Sequence, residues 1–598
     1  MIGGVLMEFS QYVLEAFASI DYLDKDRDNE AESLIRDAAH KAENANDSHI
    51  LGVIAGSMSM KYKSKEQVFS PLYTEYGVGR SFGPEDLTDE DVDILRCLTQ
   101  VTKSSWLSTR FAHIIWTIKK EYPYGQLAVA GYLDAFHKTF DTVHWTTCYE
   151  KMKAAYQIAS AMGKTAESFK QTRSVILQKV KEMNGTDMLF LSIRLLKLIH
   201  KDLSKEELPK YAGIAEILFH KNTQESNENS HLADEAFAAL EPLYKRMNRD
   251  ADIKAAKERY AGYYAEQARK LANKNDYFRA VYLMKNACSL YAGVNREKAI
   301  ALRLEMELWQ KLALKDLHPI TTKIDVKETA DAIDEMFDGL TLPETIVQFG
   351  RVARIYKVDE VKQQLLAEQD EQLFSSMFGS SLLNDQGQSV QELPPISDVE
   401  ENSDAFKKHM VRHVAERRRM FDSIPVRFAF QHLRQYGQIS EDTLDFLVQD
   451  NAIIPDNRAE IIREGLYLAL NGRLYSAMHI LQPQTEHIFR HLVKMCGDTV
   501  TFLKEDGHEE YKPLSALFKS EKLLECYDEN VIFTFQSIMD EPAGENLRNL
   551  NGHGLLEPVE GNSAGALCFV SLLIMLLSIY GNQAREIRMK LAKKSEKT

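Results

Sequence analysis

From Glu8 to about Leu314, apolar residues recur at three- and four-residue spacing, broken by short polar turns. That period marks amphipathic helices, each turning one face to a core. The helices read as pairs. Residues 124–128 open a segment with Ala128, Tyr132 and Ala135 at offsets zero, four and seven. Residues 276–280 open another, with Ala280, Met284 and Ala287 at the same offsets. Small residues one turn apart on one face let two helices approach closely, as in tetratricopeptide-type hairpins. The copies are too few and too irregular for a true repeat array. The pattern predicts an irregular, right-handed stack of helical hairpins.

Residues 379–404 break the pattern with Gly-Ser-Ser, Asn-Asp-Gln-Gly-Gln-Ser and Leu-Pro-Pro-Ile-Ser-Asp, then an acidic run. Such a stretch predicts a loop or disordered linker. Helical pattern resumes at Phe406. Asp456 is placed to cap a helix through Leu470 that Asn471-Gly472 stops. Residues 474–496 predict a long helix kinked at Pro483. Shorter helices are expected over 512–524 and 529–539, and the last two over 545–556 and 564–593. The chain therefore reads as all-α and divides into five parts. These are an N-terminal helical region (1–105), a helical-hairpin domain (106–320), connecting helices with an acidic linker (321–405), a basic helical connector (406–455) and a C-terminal bundle (456–598).

Composition supports helix. Fifteen prolines and 29 glycines are few among 598 residues, while Ala, Leu, Glu, Lys and Met are abundant. Period-two runs of Val, Ile and Thr between Asn-Gly turns are nearly absent. The formal charge of −15 argues against coating nucleic acid by bulk electrostatics. It leaves room for a local basic groove, because phosphate affinity follows local cation density. The six cysteines are scattered without a CxxC pair, which predicts reduced thiols in the cytoplasm, neither a disulfide framework nor a zinc module. Residues 1–8 have no basic n-region and do not read as a signal peptide.

Several weaker patterns yield no site. The Gly77–Gly83 loop has no preceding strand and the wrong spacing for a dinucleotide fold, and no GxxxxGK[ST] loop exists. His409/His413 and His487/His491 sit at one-turn spacing, but neither is HExxH and no nearby carboxylate or cysteine completes a set. No metal and no cofactor is expected. Trp106, Trp116, Trp145 and Trp309 are scattered and read as packing residues.

Residues 544–555, Gly-Glu-Asn-Leu-Arg-Asn-Leu-Asn-Gly-His-Gly-Leu, are odd for a helix interior. Each glycine costs about 1 kcal/mol and each asparagine several tenths relative to alanine. Close backbone approach to a partner or ligand is one reason for such residues. On a helix, Asn549 and His553 share a face, so the amide is placed to fix the imidazole tautomer. Arg548 shares that face only if the helix starts or distorts there. Read without any relative, the same segment is a surface Asn-Gly turn with Arg548 paired to Glu545.

Arg548, Asn549 and His553 spell R-N-x3-H, and Gly554 follows. This resembles the signature of the DUF4209 family, placed in the HEPN superfamily of helical proteins. Residues 463–472, Arg-Glu-Gly-Leu-Tyr through Asn-Gly, together with Ala477, Pro483 to His487 and Arg490 to Leu492, resemble the family's two preceding helices. Arg110 to Trp116 resembles the helical region that commonly precedes it. The resemblance implies a HEPN-like bundle that dimerises so that two Arg/His pairs face one cleft, cutting RNA without a metal. In that reading His553 is general base or acid on a ribose 2′-hydroxyl, Arg548 holds the scissile phosphate, and Asn549 positions either group. Several HEPN members are non-catalytic scaffolds, and fold alone does not decide.

Around this motif, Glu486, Arg490 and Gln484 are candidate supports, or polar residues on a solvated helix edge. The run Lys407, Lys408, Arg412, Arg417, Arg418 and Arg419 offers phosphate contacts to a single RNA strand, or answers the acidic linker before it. Residues 564–580 are uncharged and precede Arg585, Arg588, Lys590, Lys593 and Lys594. They read as a central bundle helix in preference to a membrane anchor. The expectation is a cytoplasmic HEPN-type endoribonuclease, a homodimer with RNA as partner, suited to a stress or phage-defence effector. The alternative is a non-catalytic scaffold binding a protein partner on its helical hairpins, with membrane tethering through 564–580 a lesser variant.

Overall fold

Most segments with a helical period are helices in the computed structural model. It describes residues 8–21, 28–63, 66–75, 79–187, 191–224, 226, 229–318, 321, 323–371 and 376–595. The chain is all-α: among the described residues, strands form only four two-stranded antiparallel hairpins. It divides into two compact units, Met1–Trp309 and Gln310–Thr598. Part of the Gly77–Gly83 loop lies outside the described residues.

The first unit is built from helices packed on their sequence neighbours. Helix Ala45–Ser59 packs on Asp28–Lys41, Tyr122–Lys138 on both Ser105–Lys119 and Thr146–Met162, and Asp250–Ala272 on Tyr277–Ala292. Ala128, Ala280, Met284 and Ala287 are fully buried at these seams. The closest approach is set by glycine. A Cβ at Gly131 would stand 1.8 Å from Thr109 Oγ1, and one at Gly125 would stand 2.8 Å from the Trp116 ring. Arg110 closes the end of Ala45–Ser59, its guanidinium donating to the carbonyls of Ser57 (2.9 Å), Met58 (3.0 Å) and Met60 (2.6 Å).

The second unit is wrapped around helix Ala564–Tyr580. Its residues from Gly565 to Ser578 are all buried. Helix Leu342–Gly350 lies against it, and a Cβ at Gly350 would sit 2.7 Å from the Met575 backbone nitrogen. Ser571, polar but buried, donates to the Phe349 carbonyl at 2.7 Å. Among the described residues no helix is long and apolar enough to cross a membrane. The apolar run is the core of a bundle, as its serines at helical spacing suggested.

Five expectations need correction. Residues 379–404 are not a structureless linker, since strands Ser380–Leu383 and Ser389–Leu393 pair there and Ile396–Asp398 makes a helical turn. Their polar centre is the hairpin turn. Asn384 Oδ1 accepts from the Gln386 and Gln388 amides, and Gly387 takes φ 75°. Asp456 caps nothing, because the helix begins at Ala459 behind Arg458 and has no side-chain cap. The stretch 512–524 yields two short helices, Leu514–Leu517 and Glu521–Cys526. The motif helix is only Leu547–Gly552. The final helix breaks at Gly581, dividing into Ala564–Tyr580 and Asn582–Ser595.

Candidate active site

The motif sits on a short helix that follows a tight reversal. Helix Glu529–Met539 ends at Asp540, and the Gln536 carbonyl accepts the amides of Asp540 and Glu541 at 3.1 and 3.3 Å. The chain then presses back on itself. A Cβ at Gly544 would lie 1.9 Å from the Ser537 carbonyl oxygen, so no other residue fits there. Asn546 takes the left-handed conformation at φ 54° immediately before the motif helix, a geometry asparagine adopts more readily than most residues.

At the far end, the Gly554 amide bonds to the Asn551 carbonyl (3.0 Å) and the Leu555 amide to that of Leu550 (2.7 Å). With Gly554 at φ 68°, this is a Schellman terminus, and it accounts for the glycine after the histidine. His553 is the last residue before that reversal and is exposed.

Arg548 is fixed by the neighbouring helix. Its Nε donates to Glu486 Oε2 at 2.6 Å and its Nη1 to Asn549 Oδ1 at 3.1 Å. Glu486 lies on the long helix Leu474–Met495, which runs through Pro483 without interruption. Its other oxygen accepts from Arg490 Nη2 at 2.8 Å. Burial pushes the Glu486 carboxyl up, but the hydrogen bonds and charges of the two arginines outweigh that and hold it below the usual range. A Cβ added at Gly552 would be 3.7 Å from Arg548 Nη1, so the guanidinium runs beside the residue that precedes His553.

Asn549 does not reach the imidazole. Its amide nitrogen donates to the Asp540 carbonyl (3.0 Å) and to Asn546 Oδ1 (2.8 Å), with Asp540 Oδ1 farther off at 3.5 Å. The expected Asn549–His553 contact is replaced because the helix ends at Gly552 and turns the histidine outward. Asn549 instead orients Arg548. Asp540 is buried, and its carboxyl is raised by that burial and by the charge of Glu541, against the pull of Asn549 and Arg548.

Residues 10–171 match a family described only as a domain of unknown function, DUF7380. No curated protein and no solved structure matches the chain. The matched residues belong to the first unit, and the Arg548 cluster lies in the second.

Of the supporting residues, Glu486 and Arg490 join the cluster. Arg490 also donates to the Lys512 carbonyl (3.2 Å) and lies over the Tyr511 ring at 5.4 Å. Gln484 does not join it. Two residues before Glu486, it lies about 200° round the helix, and its carbonyl oxygen is buried without a partner. Arg548 and Glu545 do not pair either.

Glu545 takes Arg418 instead, and this removes Arg418 from the residues of the basic run that could meet RNA. Arg418 is 2% exposed, ion-paired to Glu545, donating to Ser537 Oγ at 2.7 Å and facing the Tyr356 ring at 5.1 Å. Arg417 pairs with Asp422, Arg412 with Glu416, and Arg419 donates to the Gly544 carbonyl at 3.3 Å. Each of these four arginines has an intramolecular partner, and Arg418 alone is buried. Lys407 and Lys408 are half-buried, and Lys407 lines a hollow of about 490 Å³ with Lys362 and Lys519. His409 bonds the Pro394 carbonyl and His413 pairs with Glu368. Among the described residues, no three His, Cys, Asp or Glu side chains are grouped to hold a metal ion.

Sequence reasoning missed two partners of the motif. His479, exposed on the long helix, binds Asn551 Oδ1 through Nδ1, while Asn551 Nδ2 reaches the Met478 carbonyl at 3.3 Å. Its signal was present, since 479 and 486 are seven residues apart and share a helix face. Asp540 had no comparable signal, because only the reversal at Gly544 brings it to Asn549.

Proposed function

We propose that this chain is a metal-independent endoribonuclease of the HEPN type, related to the DUF4209 family and working as a homodimer in the cytoplasm. The observation that carries the reading is Arg548, clamped by Glu486 and Asn549 beside Gly552, with His553 open to solvent one residue further on. Two arginines share the single Glu486 carboxylate, which leaves local positive charge for a phosphate. The imidazole accepts the proton of a ribose 2′-hydroxyl, whose oxygen attacks phosphorus as the P–O5′ bond breaks. Arg548 stabilises the charge that builds on the phosphate oxygens. The products are a 2′,3′-cyclic phosphate and a 5′-hydroxyl that takes up a proton.

Exposed Leu555 and Val559, just past the histidine, supply an apolar patch for the homodimer contact. Lys407 and Lys408 remain the candidates for RNA contact outside the motif, and the all-thiol cysteine complement suits a reducing compartment. The test is incubation of the full chain with labelled single-stranded RNA in EDTA, beside His553→Ala and Arg548→Ala. Cutting by the wild type alone, leaving cyclic phosphate ends, supports the reading; a wild type that cuts no RNA overturns it.

A second reading has an observation of its own. Most of the motif's unusual residues have an intramolecular use: Gly544 in the reversal, Asn546 before the helix, Asn549 and Asn551 in ties, Gly554 in the terminus; Gly552 does not, since a Cβ there would fit. A non-catalytic scaffold needs no more than that. In this reading the partner is a protein seated on Ile300, Leu304 and Leu308, exposed at four-residue spacing on helix Arg296–Ala313.

A further inference from the structure

Two of the six cysteines lie side by side. Cys496 follows the last residue of the long helix Leu474–Met495, its amide bonded to the Leu492 carbonyl at 3.0 Å. Cys526 ends the helix Glu521–Cys526, which packs against the long helix. The Cys526 thiol lies near enough to Cys496 to raise its pKa. Both are free thiols, Cys496 half-buried and Cys526 exposed.

Further contacts fix the two segments next to one another. Ser520 Oγ, at the start of the Cys526 helix, donates to Asp498 Oδ2 at 2.5 Å, and Asp498 is two residues past Cys496. Tyr527, the residue after Cys526, packs on the Tyr580 ring at 6.1 Å between centroids. Burial, Tyr580 and both thiols push its phenol up to about 12. The neighbourhood is therefore set by packing on either side of the sulfur pair.

We propose that Cys496 and Cys526 are a paired oxidation site that closes into a disulfide when the protein meets a hydroperoxide. Exposure makes Cys526 the sulfur that meets the oxidant, while Cys148, Cys288 and Cys568 are buried. Its thiolate attacks the peroxide, breaking the O–O bond and giving a sulfenic acid and hydroxide. The Cys496 sulfur then attacks that sulfenic sulfur, displacing hydroxide as the S–S bond forms. Overall two thiols lose two protons and two electrons, and the peroxide leaves as two waters or as water and an alcohol. Burial, and then the neighbouring Cys526, push the Cys496 thiol up to about 11, and the hydroxide it displaces takes up its proton as the S–S bond forms. A dithiol reductant reverses the bond by exchange.

The experiment treats the full chain with hydrogen peroxide, alkylates the remaining thiols and maps peptides by mass spectrometry. The expected result is one linked peptide pair holding Cys496 and Cys526, lost after dithiothreitol. In Cys496→Ser, Cys526 should instead trap dimedone as a sulfenic acid. The proposal fails if both thiols alkylate fully after peroxide. It fails equally if Cys526 is over-oxidised or joins another chain with Cys496 still free.

Discussion

Arg548 and Glu486 are joined by a 2.6 Å hydrogen bond from guanidinium Nε to carboxylate Oε2, and Arg490 holds the other oxygen at 2.8 Å. One carboxylate thus orients the motif arginine and ties the motif helix to the long helix. Replacing it leaves two partly buried guanidiniums without a counter-charge. Glu486→Gln should destabilise the protein by about 2–3 kcal/mol, somewhat less than a fully buried pair because Arg548 keeps contact with water. Urea unfolding at pH 7 measures this. A change below about 0.5 kcal/mol would mean the contact is ornamental.

The two buried carboxyls near the motif respond to pH in opposite senses. Glu486 has a depressed value in the folded chain, so its stabilisation is present above the ordinary glutamate value near 4.3 and fades as pH falls through the folded one. Asp540 is raised, so the folded state favours its protonated form and loses that preference as pH rises through the folded value. Asp540→Asn should therefore gain stability relative to wild type as pH climbs from about 4 toward 7. Unfolding curves across that range read it directly. A constant difference at every pH would show that the carboxyl charge is not the cause.

Arg418 separates folding from RNA contact. Cutting its pair with Glu545 strands a buried charge, so Arg418→Ala should cost about 3–5 kcal/mol. The double variant Arg418→Met with Glu545→Leu should recover most of that, because neither charge remains to be desolvated. Lys407→Glu with Lys408→Glu should leave stability within about 0.5 kcal/mol and flatten the salt dependence of single-stranded RNA binding. Wild-type salt dependence in that pair removes those lysines from the interface.

The helices were legible because burial follows period. Ala128, Ala280, Met284 and Ala287 were identifiable as seam residues from spacing alone and are buried, whereas Tyr132 and Ala135, singled out by the same offsets, are only half-buried. Ala564–Tyr580 declared its place through its uncharged run and its serines. The motif helix was misjudged because its length is set by Gly544 against the Ser537 carbonyl, a contact between segments that period cannot register. The same reversal delivers Asp540 to Asn549. Arg418 was misread for a related reason: a basic run looks alike whether its charges meet water or a buried glutamate. The acidic linker hid a hairpin because its two strands are mostly exposed and carry no apolar alternation.

Glycines at the two ends of the motif should differ in their tolerance. Gly554→Ala keeps its space, with nothing within 4 Å of the new Cβ, and bears only the left-handed backbone penalty of about 1–2 kcal/mol. Gly544→Ala drives a Cβ to 1.9 Å from a carbonyl oxygen held by packing. The reversal must open, which releases Glu545 from Arg418 and Asn549 from Asp540 together. The expected outcome is a loss larger than that of Gly554→Ala by at least about 2 kcal/mol, comparable to other severe backbone and network disruptions. Similar melting points for the two variants would show that the reversal is pliable.

His553 offers the sharpest separation of catalysis from architecture. Its side chain is exposed, and the Schellman bonds that close the helix terminus are backbone ones, so removing the imidazole takes little from the fold. His553→Ala should melt within about 0.5 kcal/mol of wild type. If the imidazole moves the proton, RNA cutting should fall ~10²–10⁴-fold, the span that general acid–base groups supply. Arg548→Ala should lose both stability and cutting, since Glu486 and Asn549 depend on the same guanidinium. The pair of variants thus distinguishes a catalytic centre from a packed turn. A scaffold predicts two variants ranked only by stability, with His553→Ala indistinguishable from wild type in every assay.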